Sequence, residues 1–211
     1  INNKSIVVEG IKDIDQTDIN NANKLGHKIK LIGIAETINN RVIQRVHPVL
    51  IKNNSYIGKI DGVLNAVIVE SKPLGQTILQ GEGAGPGPTT SSLISDLCSV
   101  LRGNIKFPFV VSSKKRKKAL FDNIDNKKFS VYLRLDVKDE HGILSEITKV
   151  MAKNKVSIKR LIQNPTENKK NASIIIITHL AKSVSFTKVL SALKNKNYII
   201  RNPKLIRIEK I

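Results

Sequence analysis

The chain has 211 residues, of which 36 are Lys or Arg and 17 are Asp or Glu, giving a formal charge of +19. That length suits one large or two modest domains, each with its own core, and an apolar fraction of 40 % excludes a disordered chain. A single cysteine, Cys98, excludes an internal disulfide framework and fits a reducing compartment, so a cytoplasmic location is expected. No apolar run of about 18 residues and no signal-peptide pattern is seen, so no membrane partner is expected.

The excess positive charge raises the question of nucleic acid, and its distribution argues against it. Residues 1–111 hold 12 basic and 9 acidic side chains, residues 112–129 hold 7 and 2, and residues 130–211 hold 17 and 6. Aromatic residues make up only 4 % of the chain and tryptophan is absent, so stacking platforms for bases are scarce. No helix-turn-helix, zinc or RNA-recognition motif is visible, and no nucleic-acid partner is expected. The four histidines (His27, His47, His141, His179) are scattered without ligand spacing, so no metal site is expected either.

Strand-like sequence begins almost at once, at Ser5-Ile6-Val7-Val8, and the first residue is Ile1, which reads as a piece of a longer chain. Asp15 or Thr17 would cap a helix running through Ile19, Ala22 and Leu25, with Gly26 at the position that favours a left-handed backbone. Ile29–Ala35 is an apolar strand expected to be buried on both faces, and Arg41–Ile51 another, placed at an edge or bulge by Pro48. Val63–Val69 and Gln76–Gln80 form a hairpin closed by Pro73-Leu74-Gly75. The second strand feeds a glycine-rich loop, Gly81-Glu82-Gly83-Ala84-Gly85-Pro86-Gly87-Pro88-Thr89-Thr90. Thr89, Thr90 and Ser91 offer caps for a helix to about Leu101, with Leu93, Leu97 and Leu101 on one face. Glycines there let the backbone turn tightly or let a ligand approach closely. The loop is neither a Walker loop nor a dinucleotide fingerprint, since no Gly-Lys-Ser/Thr follows and Pro86 fills a position the fingerprint needs.

Five consecutive cations at Lys114–Lys118 mark residues 112–129 as a basic, solvated linker. Beyond it the order is strand, helix, strand, strand, helix, strand. Ser130–Val137 alternates as a half-buried strand, and Ile143, Leu144, Ile147, Val150 and Met151 give the first helix an inward face. Val156–Ile162 and Ala172–His179 are the next two strands. Ser183 caps a helix carrying Phe186, Val189, Leu190 and Leu193, and Tyr198–Ile208 closes the domain. This βαββαβ order is the ferredoxin-like arrangement, and the chain as a whole reads as α+β.

Two resemblances emerge from these residues. The strand before Asp139-x-x-Gly142-Ile143-Leu144, with Val156-Ser157-Ile158 entering the next strand, makes residues 130–211 similar to an ACT domain, a module that binds amino acids. The resemblance implies an effector site at Asp139, His141, Gly142 and Ile143, pairing of sheet edges between subunits as a homodimer or higher homo-oligomer, and threonine as the effector.

The order Val8-Glu9-Gly10-Ile11, Asp18-Ile19…Ala22…Leu25-Gly26…Ile29-Lys30-Leu31, Val46-His47-Pro48, Gly62-Val63…Asn65-Ala66-Val67 and Gly81-x-Gly83-Ala84-Gly85-x-x-Pro88-Thr89 resembles the later half of the homoserine dehydrogenase catalytic domain. In that family aspartate semialdehyde and homoserine are interconverted with NADP or NAD. The resemblance implies that Gly83 and Gly85 face the cofactor, Gly85 near its nicotinamide end. It also implies that the catalytic lysine belongs to a segment preceding this chain; Lys30 lies in a different motif, and no catalytic residue is assigned. The expected organisation is therefore residues 1–111 as the later catalytic-domain portion (a mixed sheet with helices), 112–129 as linker and 130–211 as ACT domain. The rival expectation is a stand-alone amino-acid-sensing or assembly protein without catalysis.

Overall fold

A computed structural model describes residues 5–103, 112–115, 119–165 and 170–210. They fall into two compact units, one built from residues 1–53 with 120–211 and one from residues 54–119.

The first unit begins with strand β1 (Ile6–Val8) and helix α1 (Gln16–Lys24), then the long strands β2 (His27–Ile38) and β3 (Arg41–Lys52). Of the two expected caps Asp15 is the one used, and Thr17 lies inside α1. The Asp15 carboxylate accepts the Asp18 amide at 3.0 Å while Asp18 reciprocates to the Asp15 amide at 3.4 Å, a closed capping box. Gly26 follows with φ +74°, where the chain must turn left-handed to leave the helix.

β2 and β3 pair antiparallel over their full length, from His27 opposite Lys52 to Ile38 opposite Arg41. β2 is not buried on both faces as expected: its exposure alternates, and Leu31 is 54 % exposed. Among the described residues its hydrogen-bonded partner is β3 alone, so it sits at a sheet edge. β3, expected at an edge because of Pro48, lies inside the sheet. Its second edge is shared end to end by β6 (Leu120–Phe121), β1 and β11 (Lys204–Ile208). The carbonyls of Val42, Val46 and Leu50 accept from Asp122, Glu9 and Glu209 on that edge. Pro48 has the same parity, so its missing N–H falls in the break between β1, which ends opposite Val46, and β11, which starts opposite Val49.

The remaining elements of this unit are β7 (Lys128–Lys138), α3 (Ile143–Lys153), β8 (Ile158–Pro165), β9 (Asn171–Thr178), β10 (Ala181–Lys182) and α4 (Ser183–Lys194). The sheet order β11-β7-β9-β8, antiparallel throughout, is the ferredoxin-like one. The last strand is shorter than expected: Tyr198 and Ile199 only bridge to β7, and Pro203 withholds a donor just before Lys204. Residues 120–129 are built into this unit, through the pairing of β6, burial of Ile124 and an ion pair from Lys127 to Glu36 at 2.6 Å.

β7 separates two cores. Val131, Leu133, Leu135 and Val137 face α3 and α4 and bury against Ile143, Ile147, Met151, Phe186, Val189 and Leu193. The opposite face presents Tyr132, Arg134 and Asp136, and α1 covers it, with Ala22 buried beside Tyr132, Ile175 and Ile206. The inward stripe of α1 is Asp18, Asn21 and Ala22, while Ile19, expected inside, is 41 % exposed.

The second unit holds the hairpin β4 (Leu64–Ser71) and β5 (Gly75–Glu82), then α2 (Pro86–Leu101). Its apolar helix face, Leu93, Leu97 and Leu101, is as read from the spacing, and in this unit all three are more than half exposed. Among the described residues no helix is long and apolar enough to cross a membrane.

Candidate functional site

The glycine-rich loop joins β5 to α2 within the second unit. Gly81 pairs opposite Asn65 near the open end of the hairpin, and the Gly83 amide donates to the Val63 carbonyl at 3.2 Å. A Cβ on Gly83 would lie 1.9 Å from Asn65 Nδ2, so the chain passes where only hydrogen fits unless Asn65 moves. Gly85 has φ +117° and ψ 157°, a conformation essentially reserved for glycine.

α2 starts at Pro86, three residues before the first of the threonine and serine caps expected from the sequence. Gly85 is the N-cap and offers no side chain. Prolines suit the first turn because their absent N–H groups are not needed there. The hydroxyls of Thr89 and Ser92 instead bond back to the carbonyls of Gly85 at 2.8 Å and Pro88 at 3.0 Å. With Pro86 and Pro88 lacking donors and the Thr89 amide bonded to the Gly85 carbonyl at 3.2 Å, Gly87 is left as the donor of the opening turn. A diphosphate cradle needs several such donors. The start of α2 is therefore poorly equipped for phosphate, while Gly83 and Gly85 leave the loop without side chains at two positions.

The second candidate site is the β7–α3 turn in the first unit, which brings Asp139, His141, Gly142 and Ile143 together. Gly142, at φ +87°, caps α3 with no side-chain bond, and Ile143 is buried, anchoring the helix in the core. The amides of Ile143, Leu144 and Ser145 are first-turn donors without intrahelical acceptors. Asp139 is held at the turn, its amide donating to the Lys170 carbonyl at 2.8 Å and its carboxylate accepting from Gln163 at 3.2 Å. Asp139, Glu140 and His141 are exposed. The turn thus offers helix-start amides to a carboxylate and acidic side chains to an ammonium group. Among the described residues no cluster of His, Cys, Asp and Glu would hold a metal ion.

Sequence reasoning missed a buried ionic cluster between α1 and the sheet. Arg134, 7 % exposed, donates from Nε to Asp18 Oδ1 at 2.8 Å, from Nη2 to Asp18 Oδ2 at 3.2 Å and Asp15 Oδ2 at 2.8 Å, and from Nη1 to Asp136 Oδ2 at 2.7 Å. Tyr132 donates to Asp18 Oδ1 at 3.1 Å and accepts from Asn21 at 3.3 Å, and Ser173 donates to Asp136 at 2.9 Å. Burial pushes the Tyr132 hydroxyl above its usual 10.0, aided by Asp18. Burial alone would lower the Arg134 guanidinium, but its bond to Asp18 and the neighbouring carboxylates raise it above the usual arginine value. For Asp15 burial works upward, yet the Asp18 amide and Arg134 outweigh it and hold the carboxyl below 3.8.

A second charged layer lies around Phe129, whose ring has Arg45, Lys127 and Arg207 at 5.7, 5.6 and 5.3 Å from its centroid. Arg45 pairs with Glu36 and, at 2.9 Å, with Glu209, while Arg207 pairs with Glu9 at 2.7 Å. His47 is fully buried beside them, its Nε2 without a partner. Burial, then the Arg207 charge, hold its imidazole below 6.5. For Glu36 burial works upward, but the Lys127 bond and Arg45 outweigh it and keep the carboxyl below 4.5.

The sign of the pH dependence follows. Below about pH 6.5 the unfolded chain protonates at His47 more readily than the folded one, so stability falls as the pH drops. The contributions of Asp15 and Glu36 are complete above 3.8 and 4.5 and are lost as the pH falls through their lower folded values. Urea unfolding followed against pH is expected to show two successive losses on acidification. His47→Gln should remove the first and leave the second; a His47→Gln profile that keeps both would contradict this assignment.

Comparison with known proteins identifies two segments of the chain. Residues 131–196 match the ACT domain family, so the first unit carries that module. Residues 1–98 match the family described as homoserine dehydrogenase, so the chain carries a segment of that family followed by an ACT domain. The homoserine dehydrogenase of Helicobacter pylori is 34 % identical over 206 residues, covering 98 % of this chain and 48 % of the relative. That of Neisseria gonorrhoeae is 31 % identical, covering 100 % of this chain and 50 % of the relative. The crystal structure of a homoserine dehydrogenase from Thiobacillus denitrificans superposes with a TM-score of 0.84 at 29 % identity, over 98 % of this chain and 48 % of that one. The chain spans about half the length of the curated relatives it matches.

Proposed function

We propose that this chain is the later half of a homoserine dehydrogenase, which interconverts L-aspartate 4-semialdehyde and L-homoserine with NADP or NAD and is regulated through its ACT domain. The observation that carries the reading is the match of two family segments, in order, to relatives of that name over nearly the whole chain. The division into 1–111, 112–129 and 130–211 marks sequence modules in this reading, although the sheet runs through residues on both sides of the linker.

Gly83 and Gly85 line the approach to the cofactor. The bound nicotinamide supplies or accepts the hydride; the residues of this chain provide a side-chain-free loop that lets the ring close up against backbone. The few donors at the start of α2 favour a reading in which other parts of the enzyme would hold the diphosphate. Hydride transfer by this chain on its own is expected to be undetectable, because the lysine and carboxylates that the family uses have no counterpart in it.

At the β7–α3 turn the effector is an amino acid, with its carboxylate on the amides of Ile143 and Leu144 and its ammonium facing Asp139; threonine is the proposed ligand. His141 flanks the same turn. The assembly is a homodimer or higher homo-oligomer in the cytoplasm, serving threonine, methionine and isoleucine synthesis. Calorimetric titration of the chain with L-threonine tests the effector assignment. Saturable binding that Gly142→Val or Asp139→Ala weakens at least tenfold is the expected result. Absence of heat at millimolar threonine, or binding indifferent to both substitutions, would remove it.

A further inference from the structure

The cluster around Arg134 and the effector turn lie on the same strand. β7 carries Tyr132, Arg134 and Asp136 on the face that α1 covers, and two residues beyond Asp136 it ends and enters the turn at Asp139. Between the two points the strand is fixed on both sides. Asp136 and Lys138 stand opposite Ser173 and Asn171 on β9, and Ser173 adds a side-chain bond to Asp136 at 2.9 Å. On the other side the Lys138 amide donates to Tyr198 at 3.0 Å and the Ile200 amide to the Asp136 carbonyl at 2.9 Å. A strand held in this way transmits a displacement along its length better than it absorbs one.

The far side of the cluster is equally tied. Asp18, fully buried, and Asp15 belong to α1, whose end runs through Leu25 and Gly26 directly into β2, and the Asn53 amide after β3 returns to the Gly26 carbonyl at 3.1 Å. The rest of the inward face of α1 is short: Asn21 donates to the Tyr132 hydroxyl at 3.3 Å, and Ala22 is its one buried apolar residue.

We infer that the Asp15–Asp18–Arg134–Asp136 cluster is the joint through which occupancy of the Asp139–Ile143 turn is communicated to α1, and through α1 to the β2–β3 sheet of the homoserine dehydrogenase segment. The inference rests on the proposed effector turn, and by linkage it is reciprocal: loosening α1 must change affinity at the turn by the factor with which the ligand tightens α1. Arg134, Asp136 and Asp18 are positioning residues here, since none touches the ligand.

The test uses Asp15→Asn, because asparagine still caps the helix while the charge facing Arg134 is removed, and Asn20→Ala, on the exposed face of α1, as control. Amide exchange of the full chain without ligand is read at Asp139 and Glu146, whose N–H groups bond to Lys170 and Gly142. Asp15→Asn is expected to speed exchange at both about fivefold or more, and Asn20→Ala to leave them unchanged. Acceleration confined to residues 15–25 would overturn the joint. Titration with L-threonine is the separate arm. Failure of the natural chain to bind it, with Asp139 and Glu146 still responding to Asp15→Asn, removes the effector and keeps the joint. Equal threonine affinity in natural and Asp15→Asn chains, with unresponsive amides, removes the joint and keeps the effector.

Discussion

Arg134→Ala is expected to lower the unfolding free energy of the unit formed by residues 1–53 and 120–211 by about 3–5 kcal/mol. The size follows from what is left behind. Asp18 is fully buried, and both of its oxygens are bonded to the guanidinium. Removing the arginine leaves a carboxylate out of water with only Tyr132 and the helix-start backbone beside it, and stranding a buried charge costs more than the pair contributes. The double replacement Asp18→Leu with Arg134→Met should recover much of the loss, because no charge is then stranded. Denaturant unfolding of the three variants measures both numbers. A single-variant loss under 1 kcal/mol would mean that water reaches Asp18, and a double variant no better than Arg134→Ala would mean that packing, not charge, set the cost.

The second large effect concerns the glycine loop, where two glycines with different constraints should respond differently. Gly85→Ala places a side chain at φ +117° and ψ 157°, a strain of about 1–3 kcal/mol that the loop relieves by shifting its backbone. If Gly85 faces the reacting end of the cofactor, a shift of about 1 Å costs about a hundredfold in turnover of the assembled enzyme. Gly83→Ala meets the end of the Asn65 side chain, itself exposed and held by a bond to the Val63 carbonyl at 3.3 Å. That side chain can swing out, so the cost is about 1 kcal/mol of loop stability with a smaller change in turnover. Steady-state kinetics of both variants in the assembled enzyme give the comparison. Equal losses, or a larger one at Gly83, would move the cofactor's approach away from Gly85.

The ACT domain was legible because its chemistry and its geometry agree. Val131, Leu133, Leu135 and Val137 alternate on β7 and Ile143, Ile147 and Met151 recur at helical spacing, and each set is buried on a single face in the structure. The cap at Asp15 or Thr17 and the left-handed Gly26 were readable for the same reason: each rests on local backbone requirements. The misread features depend on what lies across space. Arg134 and Asp136 occupy the polar positions of an alternating strand, a pattern that signals a solvent face, and only the packing of α1 turns that face into an interior. The same packing buries Asp18 in place of Ile19. Pro48 signals an edge wherever its missing N–H must face a partner; here it faces a gap between β1 and β11 that no local pattern announces. The helix after the glycine loop was placed late because hydroxyl residues make strong caps, whereas Gly85 and Pro86 begin the helix through backbone conformation alone. The roles of Gly83, Gly85 and the Asp139–Ile143 turn came from family resemblance; the structure contributes their local shapes.

The central question is whether this chain completes a dehydrogenase. The direct measurement is homoserine-dependent reduction of NADP or NAD by two proteins: this chain alone, and this chain joined after the preceding half of the Helicobacter pylori homoserine dehydrogenase, of which it matches the other 48 %. The predicted result is no turnover from the chain alone and cofactor-dependent turnover from the joined protein. Turnover by the chain alone, or a folded joined protein that binds cofactor and never oxidises homoserine, would contradict it.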